Sequence, residues 1–189
     1  MIVFVVLVAL VVVVLIPLFI YNRCVRLRNM VHESWRDIDT ELQRRYDLIP
    51  NLVSTVKGYA AHESSVLESV TTLRTDAMAA PRLPDAQLPV QQALGQGIGQ
   101  LMAVAEGYPD LKASTEFLAL EHELVDTEDR IQVSRRIYNA NVRAYDTLVQ
   151  SFPAVLLAGA LGFRPEPYFE LDPAVQAAGP PSVDLSGQG

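Results

Sequence analysis

The stretch Ile2–Tyr21, IVFVVLVALVVVVLIPLFIY, carries no charge, and Asn22–Ile49, NRCVRLRNMVHESWRDIDTELQRRYDLI, follows it with no Gly or Pro at the join. About 20 residues at roughly 1.5 Å rise cover the hydrocarbon core of a bilayer. The second stretch carries charges and an apolar stripe that includes Val31, Trp35 and Ile38. This pattern predicts one helix that begins in lipid and continues as a member of a helical bundle.

A cleaved signal peptide is the rival interpretation of the apolar stretch. It would begin with a positive charge, have a shorter apolar core and end at a small-x-small cleavage site. No charged side chain precedes the apolar run, and Leu18–Arg28 contains no A-x-A-like site. We therefore interpret residues 1–22 as an uncleaved transmembrane anchor. Pro17 near its end is acceptable because a membrane helix tolerates a kink.

The basic residues that flank the anchor are Arg23, Arg26 and Arg28. Cytoplasmic flanks of membrane helices carry an excess of Lys and Arg, so these residues predict that the bundle is cytoplasmic. The alternative is that the arginines only snorkel to a headgroup layer on either side of the membrane.

Composition sets further bounds on the function. The 189 residues carry a formal net charge of −7. An acidic chain without a basic patch argues against nucleic acid as a partner. The single cysteine, Cys24, excludes a disulfide framework within the chain.

The first bundle helix is predicted to end at Asp47-Leu48-Ile49-Pro50-Asn51. The residue before a proline disfavours the α region, and proline suits the first turn of a new helix. We therefore expect a tight helix corner formed by Tyr46, Asp47, Pro50 and Asn51. Arg44 and Arg45 are expected to form surface ion pairs with Asp47 at this corner.

Three further helices are predicted where apolar residues alternate at spacings of three and four, over residues 51–79, 90–106 and 114–151. The glycines of the third helix lack the preceding strand and the spacing of a dinucleotide-binding loop. We expect them to permit close helix packing across Gly95 and Gly99. Short connections favour antiparallel neighbours. The predicted fold class is all-α, an N-terminal transmembrane helix continuous with an antiparallel up-down four-helix bundle over residues 23–151.

The chain after the fourth helix should arrive back near the bilayer. Residues 152–163 carry no charge, but twelve residues are too few to span. We expect this segment to lie against the headgroup boundary, the first helix or a neighbouring subunit, through Phe152, Leu156, Leu157, Leu161 and Phe163. Residues 152–170 thus combine a contacting segment with an extended motif. Residues 171–189, rich in Ala, Pro, Gly and Ser, are predicted to be disordered.

Several stretches resemble the LemA family. They are Tyr21-Asn22, RRYDLIPNLV at 44–53, VKGYA at 56–60, SFP at 151–153, GF at 162–163 and PYFE at 167–170. The resemblance implies a membrane-anchored antiparallel helical bundle of bacterial origin, and hence a place in the bacterial inner membrane. It brings no established enzymatic activity and no catalytic residues. Members of the family occur beside membrane proteases or in organelle-membrane gene sets, which suggests a membrane-organising role. Cys24 departs from the aliphatic residue expected at its position.

The histidines invite a metal-binding interpretation that their spacing does not favour. They are His32, His62 and His122, and no H-E-x-x-H or E-x-x-H pair is present. Metal sites on helices use ligands three or four residues apart. We expect no metal, no cofactor and no catalytic residue.

Polar residues at positions that a simple core would fill with leucine are more informative. They are Glu63, Thr127, Ser134 and Asn141. A buried polar group costs about 1–3 kcal/mol unless it is paired, so each should have a partner. We favour a role in fixing helix register over a polar site inside the bundle. The carboxylates of the fourth helix are expected to form a solvated face that could also meet a basic partner: Glu121, Glu123, Asp126, Glu128 and Asp129.

Two functions remain open. The first is a non-enzymatic, single-pass membrane scaffold that forms homo-oligomers, because anchoring raises the effective concentration of bundles at the lipid bilayer. The second is an adaptor that presents the acidic face of the fourth helix to another membrane protein, such as a protease or a signalling protein. An enzyme or metal protein is the least favoured class, since no cluster of reactive side chains converges.

Overall fold

The computed structural model describes residues 1–170, except for the side chains at positions 5, 6, 8, 9 and 12. The disorder predicted for residues 171–189 lies outside the described residues. The described part is all-helical, as predicted. Its helices are α1 (Ile2–Tyr59), α2 (Ser64–Ala79), α3 (Pro84–Glu106), α4 (Pro109–Lys112), α5 (Thr115–Gln150) and α6 (Val155–Ala158).

The helix corner predicted at residues 46–51 is wrong, because α1 continues through Pro50 as far as Tyr59. A proline inside a helix has no N–H to donate to the carbonyl four residues earlier, here that of Tyr46. Arg74 of α2 supplies the missing donor, with its Nε 2.6 Å from the Tyr46 oxygen. A long-range hydrogen bond therefore replaces the one that Pro50 removes.

Core packing also holds α1 straight through this region. Ile49 and Leu52 are both buried on either side of Pro50, so ending the helix there would expose apolar surface. The chain turns instead at Ala60–Glu63, and α2 begins at Ser64. Asp47, Pro50 and Asn51 lie on the exposed side of a continuous helix, whereas Tyr46 is fully buried.

The third long helix begins six residues earlier than predicted. Pro84 occupies its first turn, where the lack of an N–H costs nothing, and Pro89 lies inside it. The α3 helix packs most closely against α2 at Gly97, not at Gly95 and Gly99 as expected. A Cβ at Gly97 would lie 2.7 Å from Leu73 Cδ1, whereas one at Gly99 would meet nothing within 4 Å.

Two antiparallel helix pairs share one apolar core. In the first pair, α1 packs along α5, with Ser34 opposite Asn141 and Arg45 opposite Glu128. In the second pair, α2 packs along α3. Buried residues recur every seven positions along α5, at Leu124, Ile131, Tyr138 and Tyr145, which is the spacing of one helix face. Ser114 caps α5 as predicted, since its hydroxyl accepts from the Phe117 N–H.

No helix in the described part of the chain meets both the length and the apolarity that crossing a bilayer requires. Five positions of the apolar stretch, 5, 6, 8, 9 and 12, lie outside that description. The transmembrane anchor expected for residues 1–22 is not confirmed and stays a prediction.

The glycines of α3 give a stability prediction. We expect Gly99→Ala to raise the free energy of unfolding by up to about 1 kcal/mol, because glycine weakens a helix and the new Cβ meets nothing. Gly97→Ala should gain less or lose stability, since Leu73 has to move. Urea unfolding followed by circular dichroism in mild detergent measures both. Equal gains at the two positions would contradict the close approach.

Candidate functional site

The end of the helical region nearest the N-terminal apolar stretch brings together α1, the end of α5 and the chain that follows α5. A cis Phe152–Pro153 peptide precedes the short helix α6, and Gly162 adopts a φ of 77°. Only glycine takes this left-handed conformation without strain. The turn at Gly162 directs Phe163 onto α1, where its ring lies 5.6 Å from that of Tyr21 in an edge-to-face arrangement.

The uncharged segment after α5 is divided between exposed and buried side chains. Phe152 is 80% exposed and Leu156 is 70% exposed, Leu161 is also exposed, and Leu157 is half-buried. Phe163 is buried, so its predicted contact with lipid or another subunit is wrong, whereas the alternative contact with the first helix is confirmed. Phe152, Leu156 and Leu161 therefore give the segment in and around α6 an exposed apolar surface.

The predicted flanking arginines lie around the same end of α1. Arg23, Arg26 and Arg28 are all exposed. Arg28 also forms an ion pair with Glu166, at 3.4 Å between Nε and Oε1. His32 Nε2 lies 3.6 Å from the same carboxylate oxygen. The segment of α1 that follows the apolar stretch therefore carries exposed arginines, and one of them, Arg28, contacts the chain that follows α6.

Residues 164–170, here called the strap, run back along the groove between α1 and α5. The Tyr138 hydroxyl donates to the Pro167 carbonyl at 2.6 Å. Asn139 pairs with both backbone groups of Phe169, accepting from its N–H at 2.9 Å and donating to its carbonyl at 3.3 Å. Burial raises the pKa of Tyr138, so its hydroxyl stays neutral and remains a donor.

The strap ends on an aromatic contact. The Phe169 ring is buried and meets Trp35 edge-to-face, with 5.1 Å between the ring centroids. The guanidinium carbon of Arg135 lies 5.8 Å from the centre of the same ring. The strap therefore joins α1 to α5 about one third of the way along the helical region. The sequence offered only the extended motif as a signal for it.

The carboxylate of Asp146 holds the start of the strap. Its Oδ1 accepts from the Glu166 N–H at 3.1 Å. Burial raises the pKa of Asp146, the Glu166 N–H lowers it, and the negative charge of Glu166 raises it further. The charged form of Asp146 is therefore disfavoured in the folded protein.

This shift gives a pH-dependent prediction. A raised folded pKa stabilises the fold at pH values below the unfolded pKa, and that contribution is lost as the pH rises through the folded pKa. Asp146→Asn keeps an oxygen acceptor and removes the charge. We expect its stability relative to wild type to increase as the pH rises from below the ordinary aspartate pKa to 7, as measured by urea unfolding across that range. A relative loss at pH 7 would show that the charge itself is stabilising.

A buried layer of polar side chains lies further along the helices. Gln87 is fully buried, and its amide donates to the carbonyls of Ala80 and Pro81, each at 3.2 Å. The Tyr46 hydroxyl donates to Gln87 Oε1 at 3.3 Å and accepts from Gln91. Burial raises the pKa of Tyr46, so its hydroxyl stays neutral and remains a donor.

Arg45 belongs to the same layer, and its predicted surface ion pair is wrong. It is 8% exposed and pairs with Glu128 of α5, whose own side chain remains 40% exposed. Its position explains the burial, because Arg45 falls on the stripe that contains Leu42 and Ile49. An α3 seam through Leu94 and Ile98 extended backwards would likewise have reached Gln91 and Gln87. Sequence reasoning missed these residues.

The four polar residues predicted to fix register have different environments. Asn141 donates to the Ser34 hydroxyl at 3.2 Å and so links α5 to α1. Thr127 is buried but bonds within its own helix, to the Glu123 carbonyl. Glu63 is half-buried in the turn before α2, where Tyr108 donates to it at 3.4 Å, and Ser134 is half-buried. Only Asn141 makes the cross-helix contact that a register role requires.

Within residues 1–170, no three side chains of His, Cys, Asp or Glu are grouped so as to hold a metal ion. His32, His62 and His122 are all exposed and lie on different helices or turns. The features that this end of the molecule does provide are an exposed apolar surface around α6, a group of exposed arginines on α1, and the strap.

The chain is similar in sequence to several bacterial proteins. A family model for the LemA family matches residues 34–185. Magnetosome protein MamQ 2 of Paramagnetospirillum magneticum is 27% identical over 179 residues, covering 82% of this chain and 66% of the relative. Magnetosome protein MamQ of Magnetospirillum gryphiswaldense is 26% identical with the same coverage. Protein LemA of Metamycoplasma hominis is 24% identical over 131 residues, covering 69% of this chain and 60% of the relative. The chain thus spans somewhat less than two thirds of the length of the curated relatives that it matches.

Proposed function

Because the chain belongs to the LemA family, we propose that it is a non-enzymatic scaffold, anchored by a single pass in a bacterial inner membrane, which self-associates to organise the membrane surface. The continuity of α1 carries this proposal. The helix begins at Ile2, has no charged residue before Arg23, and continues without a break into the packed region that ends at Tyr59. A helix of 58 residues is about 87 Å long, of which the first third would lie in lipid.

Exposed apolar side chains support the membrane contact. Ile2, Phe4, Leu10 and Phe19 of α1 are each more than 60% exposed. Soluble monomers rarely expose a contiguous apolar surface of this extent. Phe163, which follows α6, contacts Tyr21 where the apolar stretch ends, and Leu156 of α6 is 70% exposed. In the proposal, α6 rests on the headgroup boundary while the four long helices form an up-down bundle above it.

Membrane extraction tests the anchor. We expect the wild-type chain to stay in the membrane fraction at alkaline pH. Leu10→Arg should be extracted, because an arginine at the centre of a membrane helix costs about 2.5–3.5 kcal/mol. Arg26→Gln, which removes a flanking charge outside the apolar stretch, is the matched control and should stay bound. Release of the wild-type chain would contradict the proposal.

The flanking arginines support a cytoplasmic position for the helical region, because cytoplasmic flanks of membrane helices carry an excess of Lys and Arg. Ser54 is exposed near the far end of α1, and Cys24 is buried. We expect a Ser54→Cys variant to react with an impermeant maleimide only after the cells are permeabilised. Labelling in intact cells would reverse the topology.

The molecular mass of the purified protein in detergent tests self-association. We expect a discrete species of several chains in mild detergent at micromolar concentration. Phe152→Ser and Leu156→Ser together should reduce the oligomer if the exposed apolar side chains in and just before α6 contribute to the contact between subunits. A monomer under all detergent conditions would exclude the scaffold.

The alternative function is an adaptor that presents the acidic face of α5. Glu123 and Asp129 remain exposed, which favours this second candidate. Asp126 is exposed as well but pairs with Arg130 at 3.0 Å. A photo-crosslinker at position 129 separates the two functions in native membranes. One foreign membrane protein would support the adaptor, whereas products between copies of the chain would support the scaffold.

A further inference from the structure

A small cavity lies beside Arg45, where α1, α3 and α5 meet the end of the strap. Phe169, the last buried residue of the strap, forms part of its wall, and Leu42, Leu88 and Ile131 supply further apolar surface. The volume is about 180 Å³. An apolar cavity of roughly 150 Å³ holds a benzene ring, so this space is large enough for an aliphatic side chain.

The cavity reaches the surface, and its wall carries one positive charge without a partner among residues 1–170. Gln132 lines it and is exposed, and Gln92 lines it and is half-buried. Arg45 and Glu128 also line it, and they form an ion pair with each other. Arg135 is half-buried and has no carboxylate within 4 Å in that part of the chain. A segment that follows the surface can therefore insert a side chain here.

The strap advances toward this cavity in an extended conformation. The Glu166 N–H donates to Asp146, and the Phe169 N–H donates to Asn139. Three residues of the strap therefore pass seven residues of α5, which corresponds to about 3.5 Å per strap residue, the rise of a fully extended chain. At the same rate, residues 171–173 would pass the part of α5 from about position 134 to about position 130.

The residue that this path brings to the cavity is Leu171. Ile131 and Gln132 belong to that part of α5, and both line the cavity. Successive side chains of an extended chain lie on opposite sides. Phe169 is buried and Glu170 is exposed, so the alternation assigns position 171 to the inner side. The sequence has an apolar side chain at this position.

We propose that the side chain of Leu171 fills this cavity, so that the strap continues as far as Pro173. Asp172 then faces outward, within reach of Arg135. Proline restricts the residue before it to extended conformations, which is the conformation that this path requires of Asp172. The tether favours this occupant over a second copy or a solute. Leu171 is two residues from Phe169, at most about 7 Å away, and a linked group has a high effective concentration.

The continued strap would join the two helix pairs. Among residues 1–170, its hydrogen bonds go to α5 and its ion pairs go to α1. Leu88 and Gln92 of the cavity wall belong to α3, so Leu171 would fasten α3 to α1 and α5. The disorder predicted for residues 171–189 would then begin after Pro173.

Disulfide trapping in the full-length protein in mild detergent tests this position. Leu171→Cys is combined with Gln92→Cys on the cavity wall, or with Arg136→Cys on α5, which is exposed and does not line the cavity. We expect the 171–92 disulfide to form at least about tenfold faster than the 171–136 disulfide, because a disulfide requires Cα atoms within about 7 Å. Asp172→Cys with Gln92→Cys is the control for the alternation and should react slowly. The native Cys24 is buried and stays in place.

The product must have the mobility of a single chain. A dimer linked through positions 171 and 92 would show that a second copy fills the cavity, and it would overturn the proposal. Equal rates with Gln92→Cys and Arg136→Cys, or no 171–92 disulfide at all, would also overturn it, because an unbound segment reaches the exposed position as readily.

Hydrogen exchange gives a second readout without added thiols. Leu171→Asp places a charge at the cavity and should speed exchange of the Phe169 amide about tenfold or more, equivalent to roughly 1.4 kcal/mol. The amides of α5 should stay protected, which shows that the helices remain folded. Val175→Asp is the matched control, because it adds the same charge four residues further along the chain, and it should leave the Phe169 amide unchanged. Equal exchange in the two variants would contradict the proposal.

Discussion

Phe169→Ala is expected to lower the free energy of unfolding by about 3–5 kcal/mol, the usual cost of removing a buried aromatic ring. The ring is 2% exposed and contacts Trp35 and Arg135. The side chain of Asn139 pairs with both the N–H and the carbonyl of Phe169. No other side chain of the strap is buried as fully. Urea unfolding of the full-length protein in mild detergent measures the loss.

Phe152→Ala is the matched control, because it removes the same ring from a position that is 80% exposed. Its effect should stay within about 0.5 kcal/mol. Hydrogen exchange adds a local readout, since loss of the ring should release the amide of Phe169 before α5 unfolds. A loss below 1 kcal/mol with unchanged exchange in the strap would mean that the strap adds little to the fold.

Pro50→Ala is expected to raise the free energy of unfolding, by up to about 3 kcal/mol, because a proline in a helix interior costs about that much relative to alanine. The restored N–H would pair with the Tyr46 carbonyl, which Arg74 now satisfies. Arg74→Met alone should cost about 1–3 kcal/mol, since it leaves that carbonyl without a donor and keeps much of the aliphatic stem.

The two changes should not be additive. With Ala at position 50, Arg74→Met should cost close to nothing, because the helix then supplies its own hydrogen bond. A double-mutant cycle measures this coupling directly. Additive effects would show that Arg74 does not compensate for the proline. The cycle thus distinguishes a compensated helix from one that packing alone holds straight.

Pro50 also shows where sequence reasoning fails in this fold. Proline does remove a helical hydrogen bond, as the local rule states. The helix continues because Arg74, 24 residues away in the sequence, donates to the Tyr46 carbonyl instead. The seam of α5 was predictable because 36 residues repeat one pattern and its N-cap is a local feature. The helical class followed from the same periodicity. Arg45 and Gln91 were missed because charge or polarity was read as exposure, although each lies on an apolar face. Gln87 was missed because it precedes residue 90, where the third helix was predicted to begin.

The candidate site was predictable only in part. An uncharged segment after the last long helix was evident from composition, but its division between exposed Phe152 and buried Phe163 depends on the turn at Gly162 and the contact with Tyr21. The cavity beside Arg45 required three helices and the strap to be placed together. No spacing along a single element reports such a convergence.

The unbroken course of α1 from Ile2 to Tyr59 has a consequence for neighbouring copies in a membrane. Because α5 packs along this same helix, the direction in which each surface of α5 faces is fixed relative to the N-terminal apolar stretch. If the N-terminal part of α1 rotated about the helix axis, the end of α1 near Tyr59 would rotate through the same angle. Under the proposed anchoring, two copies that meet through their N-terminal apolar ends would also present defined faces to each other about 50 Å away.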